Sequence, residues 1–247
     1  MGTSAAVPAL TAVDLAQVLT DDWQFVFNNA GYLLEGAALT VGLTIASLLV
    51  GFLVGFPAGA VEVYGGTWSK RAVESVGVVF RGTPLVVILV IMYFVVGVPS
   101  IGMGVATLSG AVTSAILGLG LRSAAYQSQI FRASLQSIDE GQLEAGRALG
   151  MSQFEAVRHI AVPQALRRSV PGFQNEMTIV LKDTSIVFAI GLAELLTRSY
   201  DLFVEQTTAV LEVIIFISAI YFVLTFTTNR ALDHLEDYYA IPSGEQT

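Results

Sequence analysis

Cysteine is absent from the 247-residue chain, which excludes disulfides, thiol nucleophiles and cysteine-ligated metal sites. Histidine occurs only as His159 and His234, both in polar segments and neither beside a carboxylate–histidine set suited to a metal. Charge is scarce too. Asp, Glu, Lys and Arg make up 13% of the chain, against about 25% in a soluble domain. That deficit does not suit a surface that meets water throughout; it suits one that meets lipid. Lysine is limited to Lys70 and Lys182 among 12 basic residues, and the net charge is −8. This balance argues against a nucleic-acid partner, because phosphate neutralisation needs clustered bases. No basic n-region precedes the first apolar stretch, so no cleavable signal is expected. No Gly-x-x-x-x-Gly-Lys-Ser/Thr loop occurs, so ATP binding by that route needs another chain.

What is present is apolar length. Gly36 to Val61 is uncharged and exceeds the ~20 residues of a spanning helix. Gly82 to Leu121 is also uncharged, and as one helix it would reach ~60 Å, twice the hydrocarbon thickness. It therefore has to turn, and Gly97-Val98-Pro99-Ser100-Ile101-Gly102-Met103-Gly104 supplies turn residues. The expected helices are roughly 74–97 and 105–135. Val213 to Asn229 makes a last span, and 167–191 a further one despite Glu176, Lys182 and Asp183. With five spans and the N-terminus outside, most basic residues fall on the cytoplasmic side, as the positive-inside rule requires; Arg198 falls outside. The C-terminus is then cytoplasmic. Gly51-x-x-x-Gly55-x-x-x-Gly59 lets another helix come close. It fits routine packing within the chain better than a subunit contact.

The most informative polar stretch is Glu140 to Pro163, EGQLEAGRALGMSQFEAVRHIAVP. Asp139 with Gln142 resembles an N-terminal cap, and Gly150 stands where a left-handed residue ends a helix. Ser152 with Glu155 is a second capping box, so a new helix starts at once. Pro163 ends that helix or leads into the next span. A stiff, short helix pair of this kind suits a docking element.

Glu144-Ala145-Gly146, then Gly150, then nine residues to Ile160-Ala161-Val162-Pro163, resembles the EAA loop of ABC importer permeases. The departures are Gly146 for the second Ala and Val162 for Leu. Arg81-Gly82-Thr83-Pro84, Ala125-Tyr126 with Ile130 and Arg132, Gln136-Ser137-Ile138 with Gly141-Gln142, and Leu181-Lys182-Asp183-Thr184-Ser185 resemble motifs of the polar amino acid subfamily. Members commonly carry Glu where Gln129 stands. The resemblance implies an all-α integral membrane protein of the type I ABC importer permease kind. It would have five transmembrane helices and a cytoplasmic helix–turn–helix coupling loop. The implied layout is an extracytoplasmic segment 1–30, a permease domain 31–235 with the coupling loop at 137–165, and a cytoplasmic tail 236–247.

The implied function is uptake of a polar amino acid across the cell membrane. The implied partners are two ATP-binding cassette subunits, a second permease subunit forming a homodimer or heterodimer, an extracytoplasmic solute-binding protein and membrane lipid. No cofactor belongs to this chain, since ATP and Mg would be bound by the partner. Glu144, Ala145, Gly146, Gly150, Ile160 and Pro163 would form the ATPase-coupling element, with Ile160 and neighbouring apolar residues in a groove of the ATPase and Glu144 paired to a basic group. A channel or ion-coupled carrier acting alone has no use for such a rigid pair. An intramembrane enzyme would need a nucleophile and base within the spans, where Asp183 is the sole clear Asp.

Charges inside a span cost roughly 2.5–3.5 kcal/mol at the centre, so each normally faces protein or water. Arg122 and Lys182 fall ~25 and ~22 Å along their helices, near mid-depth. Arg122 could clamp a substrate carboxylate. Glu176 and Asp183, seven residues apart, share a helix face and could take an ammonium. For Arg122 and Glu176, substrate contact and a structural ion-pair network fit equally; for Lys182 and Asp183, the network fits better.

Overall fold

The computed structural model describes residues 12–103 and 106–239. Helices α1 (Ala12–Asn28), α2 (Ala30–Tyr64), α3 (Thr67–Gly82) and α4 (Leu85–Val90) come first, and a π turn carries α4 on to Val96. A small antiparallel ribbon follows, β1 (Ile101–Met103) on β2 (Ala106–Leu108). Then come α5 (Gly110–Gln136), α6 (Glu140–Ala148), α7 (Gln153–Ala156), α8 (Val162–Arg168), α9 (Val170–Asp183), α10 (Leu195–Glu205) and α11 (Val210–Tyr239).

Helix α2 is built inside out relative to a soluble helix. Its buried face carries Thr40, Thr44, Ser47, Gly51, Gly55 and Gly59, while Ile45, Leu49 and Leu53 are exposed. Lipid is as apolar as leucine, so packing there favours small residues that let backbones approach. That face meets α5. A Cβ on Gly55 would lie 2.6 Å from the Ala124 carbonyl oxygen, and one on Gly59 would lie 2.7 Å from that of Ser128. The glycine repeat thus serves packing within the chain.

Among the described residues, Ala30–Tyr64 and Thr207–His234 are each long and apolar enough to cross a membrane. The pair Thr67–Gly82 and Leu85–Val96 qualifies together but is bent by 104°. This corrects the expected straight helix over 74–97. Pro84 has no N–H to continue the helix and forces Thr83 into an extended conformation, at φ −91°, ψ 131°. The expected loop at 97–104 contains β1, with Gly97 closing α4 at φ +63°; Gly104 lies outside the described residues. The expected helix over 105–135 is α5, which starts at Gly110 with Ser109 as its cap. The expected helix over 167–191 is α9, continued by a 3-10 turn, Thr184–Ile190. Both α5 and α9 carry polar residues, and these turn inward: Ser123, Gln127 and Ser128 on α5 and Glu176 on α9 are all buried.

Two elements were not expected. From Ala12 the first segment is helical, and Asp22 of α1 accepts hydrogen bonds from Gln206 and Thr208. Helix α10 is capped by the fully buried Glu194, which accepts from the Leu196 and Thr197 amides. Three apolar clusters hold the elements together. Leu43, Leu89, Leu119 and Val187 join α2, α4, α5 and the 3-10 turn. Val26, Leu33, Leu195 and Val213 join α1, α2, α10 and α11. Leu135, Ile138, Ala161 and Ala165 seat α8 at the end of α5.

A matched pair of substitutions tests the α2–α5 contact. At Gly42 an added Cβ meets nothing within 4 Å, so Gly42→Ala is expected to be neutral or to stabilise by up to ~1 kcal/mol through helix propensity. Gly55→Ala drives a Cβ into backbone and is expected to cost about 1–3 kcal/mol. Thermal unfolding of the two purified variants checks the opposite signs.

Candidate functional site

Two sites emerge, one on the polar helix pair and one between α5 and α9. In the pair, Asp139 caps α6 by accepting from the Gly141 amide at 2.8 Å. Gly150 adopts φ +95°, as expected of a left-handed stop. Ser152 and Glu155 then form a complete capping box at the start of α7. The helix does not end at Pro163. It runs from α7 through a π turn, Val157–Ala161, into α8, with Pro163 in the first turn of α8, where a missing N–H is tolerated.

Gly146 is buried against Ile160: a Cβ there would lie 2.7 Å from Ile160 Cδ1. Ile160 is therefore half-buried, with its Cδ1 turned toward Gly146 of α6. Glu144 and Ala145 are exposed, as are Gly150 and Pro163. The apolar side chains that point outward are Leu149, 85% exposed, and Phe154, 71% exposed, while Met151 is half-exposed with its sulfur toward Gly146. Sequence reasoning missed Leu149 and Phe154 because neither belongs to the spaced motif. Their clustering around the Gly150 turn is the signal that could have found them.

The second site begins with Arg122 of α5, whose Nη1 forms an ion pair with Asp183 Oδ2 at the end of α9. The guanidinium also lies over the Tyr126 ring, 5.2 Å from its centroid. Further along the same face of α9, Glu176 is buried and accepts from Ser123 Oγ at 2.7 Å. Ser123 in turn accepts from Gln127 Nε2 at 3.0 Å. Arg122, Glu176 and Asp183 are thus brought together. Lys182 is not: it is exposed and has no ion pair among the described residues. Nearer the Tyr64 end of α2, Glu62 is fully buried and accepts from Gln129 Nε2 at 2.8 Å, with Arg132 at 3.5 Å. Arg81 donates to the Ala125 carbonyl at 2.7 Å, tying the bend after α3 to α5.

Residues 47–238 match the family model of the binding-protein-dependent transport system inner membrane component. The chain belongs to that family. It is similar to the glutamine transport system permease protein GlnP of Escherichia coli (strain K12), with 32% identity covering 87% of this chain and 96% of that one. The arginine transport system permease protein ArtQ of Bacillus subtilis (strain 168) is 33% identical, over 82% of this chain and 90% of that one. Among solved structures, an amino acid ABC transporter with histidines aligns at TM-score 0.73 and 33% identity, covering 86% of this chain and 96% of that one. The inward-facing MetNI methionine ABC transporter, at TM-score 0.67 and 22% identity, shares the fold. The permease is accordingly a membrane-embedded transport component, with ATP hydrolysis in a separate subunit.

The capping box gives the helix pair an acid-sensitive joint. The Ser152 backbone N–H, joined by its hydroxyl, donates to the exposed Glu155 carboxylate and holds it below the usual carboxylate range. A lowered folded-state pKa means that this contribution is full above the ordinary value of about 4.3 and is lost as pH falls through the folded value. Amide protection over residues 152–160 is expected to stay level from neutral pH down to that range and then to drop. In Glu155→Gln the acid step disappears. Hydrogen exchange followed by mass spectrometry reads both.

Proposed function

We propose that this permease imports a polar amino acid, delivered by an extracytoplasmic binding protein and driven by two ATP-binding cassette subunits paired with two permease subunits. The names of its relatives support the substrate class: glutamine, arginine, and glutamate/aspartate for the GltK permease of Escherichia coli O157:H7, 30% identical over 87% of this chain. In this reading the chain crosses the membrane five times, through α2, the bent α3–α4 pair, α5, α9 with its 3-10 turn, and α11. The N-terminus lies outside, and the helix pair at 137–165 and the C-terminus lie in the cytoplasm. Residues 1–30 precede the permease domain at 31–235, and 236–247 form the tail.

The observation that carries this reading is the exposed apolar tip of a rigid helix pair. Leu149 and Phe154 stand in solvent around Gly150, and burying a large side chain of this kind contributes roughly 1.5–3 kcal/mol. A carrier acting alone would leave that tip without a partner. Glu144, Ala145, Gly150 and Pro163 would face the ATPase with it, Glu144 through a basic group, while Gly146 and Ile160 set the angle between the helices. Arg122, Asp183 and Glu176 would line the substrate pathway, with Lys182 at its edge.

Phe154→Asp tests the assignment. ATPase-subunit association is expected to weaken at least about tenfold, the scale of an interface hot spot, and ATP-driven amino acid uptake by reconstituted importer is expected to fall with it. Uptake and association at wild-type levels would overturn the docking role.

A further inference from the structure

We propose that a groove between α2, α3 and α5 is a phospholipid site, in which one hydrocarbon chain lies along α3 and an anionic headgroup rests on Lys70 and Arg71. The site serves the lipid around the permease and not its solute. Only the leaflet, the cytoplasmic one, rests on the orientation proposed above.

Helix α3 is fastened to the α2–α5 seam along one side. Glu74 lies 3.6 Å from Arg132 of α5, and Arg81 donates to the Ala125 carbonyl at 2.7 Å. On the adjoining side α3 stands off and leaves a groove of ≈ 280 Å³. Val54 and Ala58 of α2, Val76 and Phe80 of α3, and Leu121 and Ala124 of α5 line it. Ser128 is the polar residue among those lining it, and its hydroxyl donates to the Ala125 carbonyl at 3.1 Å. A polar solute would find no free partner there, whereas hydrocarbon needs none. From Ala72 to Phe80 the groove follows α3 for about 12 Å. A helix is about 10 Å across with its side chains, so that length of one would take up on the order of 900 Å³. A single hydrocarbon chain fits the groove; a helix from a second copy does not.

Charge sits at one end. Ala72 lines the groove, and the two residues before it are Lys70 and Arg71. Neither makes an ion pair among the described residues. Glu74, one turn on, is drawn to Arg132 instead. Side chains lean toward the N-terminus of their helix, so both cations reach out of the groove's end while their stems cover apolar surface. Trp68, 82% exposed, stands at the same level, and tryptophan favours the membrane–water interface. Basic residues at such a level attract anionic lipid. A zwitterionic headgroup brings its own cation and gains less from two more. The groove thus takes the chain, and Lys70 with Arg71 selects the headgroup.

The test uses the permease assembled with its ATPase subunits and stripped of native lipid in detergent. Dioleoylphosphatidylglycerol, dioleoylphosphatidylcholine and the chainless glycerophosphoglycerol are titrated in, and bound copies are counted by native mass spectrometry. The anionic lipid is expected to bind at least about tenfold more tightly than the zwitterionic lipid with the same chains, and the headgroup alone far more weakly than either. Lys70→Gln with Arg71→Gln is expected to bring the two lipids within about threefold of each other. Arg230→Gln, which removes a cation at the other end of the chain on α11, is expected to keep the preference. Ala72→Leu narrows the groove and is expected to weaken both lipids at least about fivefold. If Ala72→Leu fails to assemble, the comparison of the charge variants decides. A wild-type preference under threefold would overturn the site, as would one that survives in the Lys70/Arg71 double variant or falls as far in Arg230→Gln. Headgroup binding as tight as that of the whole lipid would make it a phosphate site. Loss of permease pairing in Ala72→Leu with lipid binding intact would give the groove to a second copy, and either result overturns the proposal. Amino acid uptake is not a readout here, so failure of the function proposed above would leave the lipid result standing.

Discussion

Close approach of α2 to α5 is the contact on which the other elements depend. Helices in lipid gain little from burying leucine, because the solvent is itself hydrocarbon, so they are held by fitted surfaces and short polar contacts. Glycine on α2 brings its backbone against α5 at Ala124 and Ser128. At that separation short side chains can span the seam: Gln127 Nε2 reaches the Leu48 carbonyl at 3.3 Å. The Gln127 amide also donates to Ser123 Oγ at 3.0 Å, while Gln127 Oε1 and the Ser47 hydroxyl are buried without a hydrogen-bond partner among the described residues. The exposed Ile45 and leucines of α2 are left for lipid.

The same seam is continuous with the polar helix pair. At the Gln136 end of α5, Leu135 and Ile138 pack with Ala161 and Ala165, and Ala60, Val63 and Tyr64 of α2 close over them. Gln164 donates to Gln142 across the pair at 2.6 Å, and Arg168 donates to Ser137. In the docking role proposed above, these contacts are what would pass a displacement of the Gly150 tip on to α5. Arg122 stands on that helix 14 residues before Gln136, about 21 Å along its axis.

The parts legible in the sequence were those with a local cause. Gly150 and the Ser152–Glu155 box act within a few residues, so spacing alone revealed the helix pair. The bend at Thr83-Pro84 was hidden by an uncharged run that continued past it, although the proline itself was the local signal. Helix α10 was missed because its identity depends on burial that only the fold supplies: Glu194 reads as a surface acid in sequence, yet it is a fully buried cap that Tyr221 also approaches at 3.3 Å. The contact of Ile160 Cδ1 with Gly146, where the absent side chain makes room, joins residues 14 apart and is not legible from spacing. Pairings such as Arg122 with Asp183, 61 residues apart, could be listed as candidates but not joined.

Gln129 shows why a departure from a family pattern has to be weighed with its neighbours. Its amide donates to Glu62, a carboxylate with no solvent exposure, while Ser128 Oγ approaches the other oxygen at 3.4 Å. A glutamate at 129 would set a second carboxylate within hydrogen-bond distance of the first, and like charges so close ionise together only at high cost. A glutamine keeps the shape and supplies the donor that Glu62 needs. Arg132 then lies between Glu62 at 3.5 Å and Glu74 of α3 at 3.6 Å, drawing the third helix onto the seam. The residue at 129 and the acid on α2 are one joint solution to burying a charge where three helices meet. The neutral side chain at 129 matches the buried carboxylate it faces on α2.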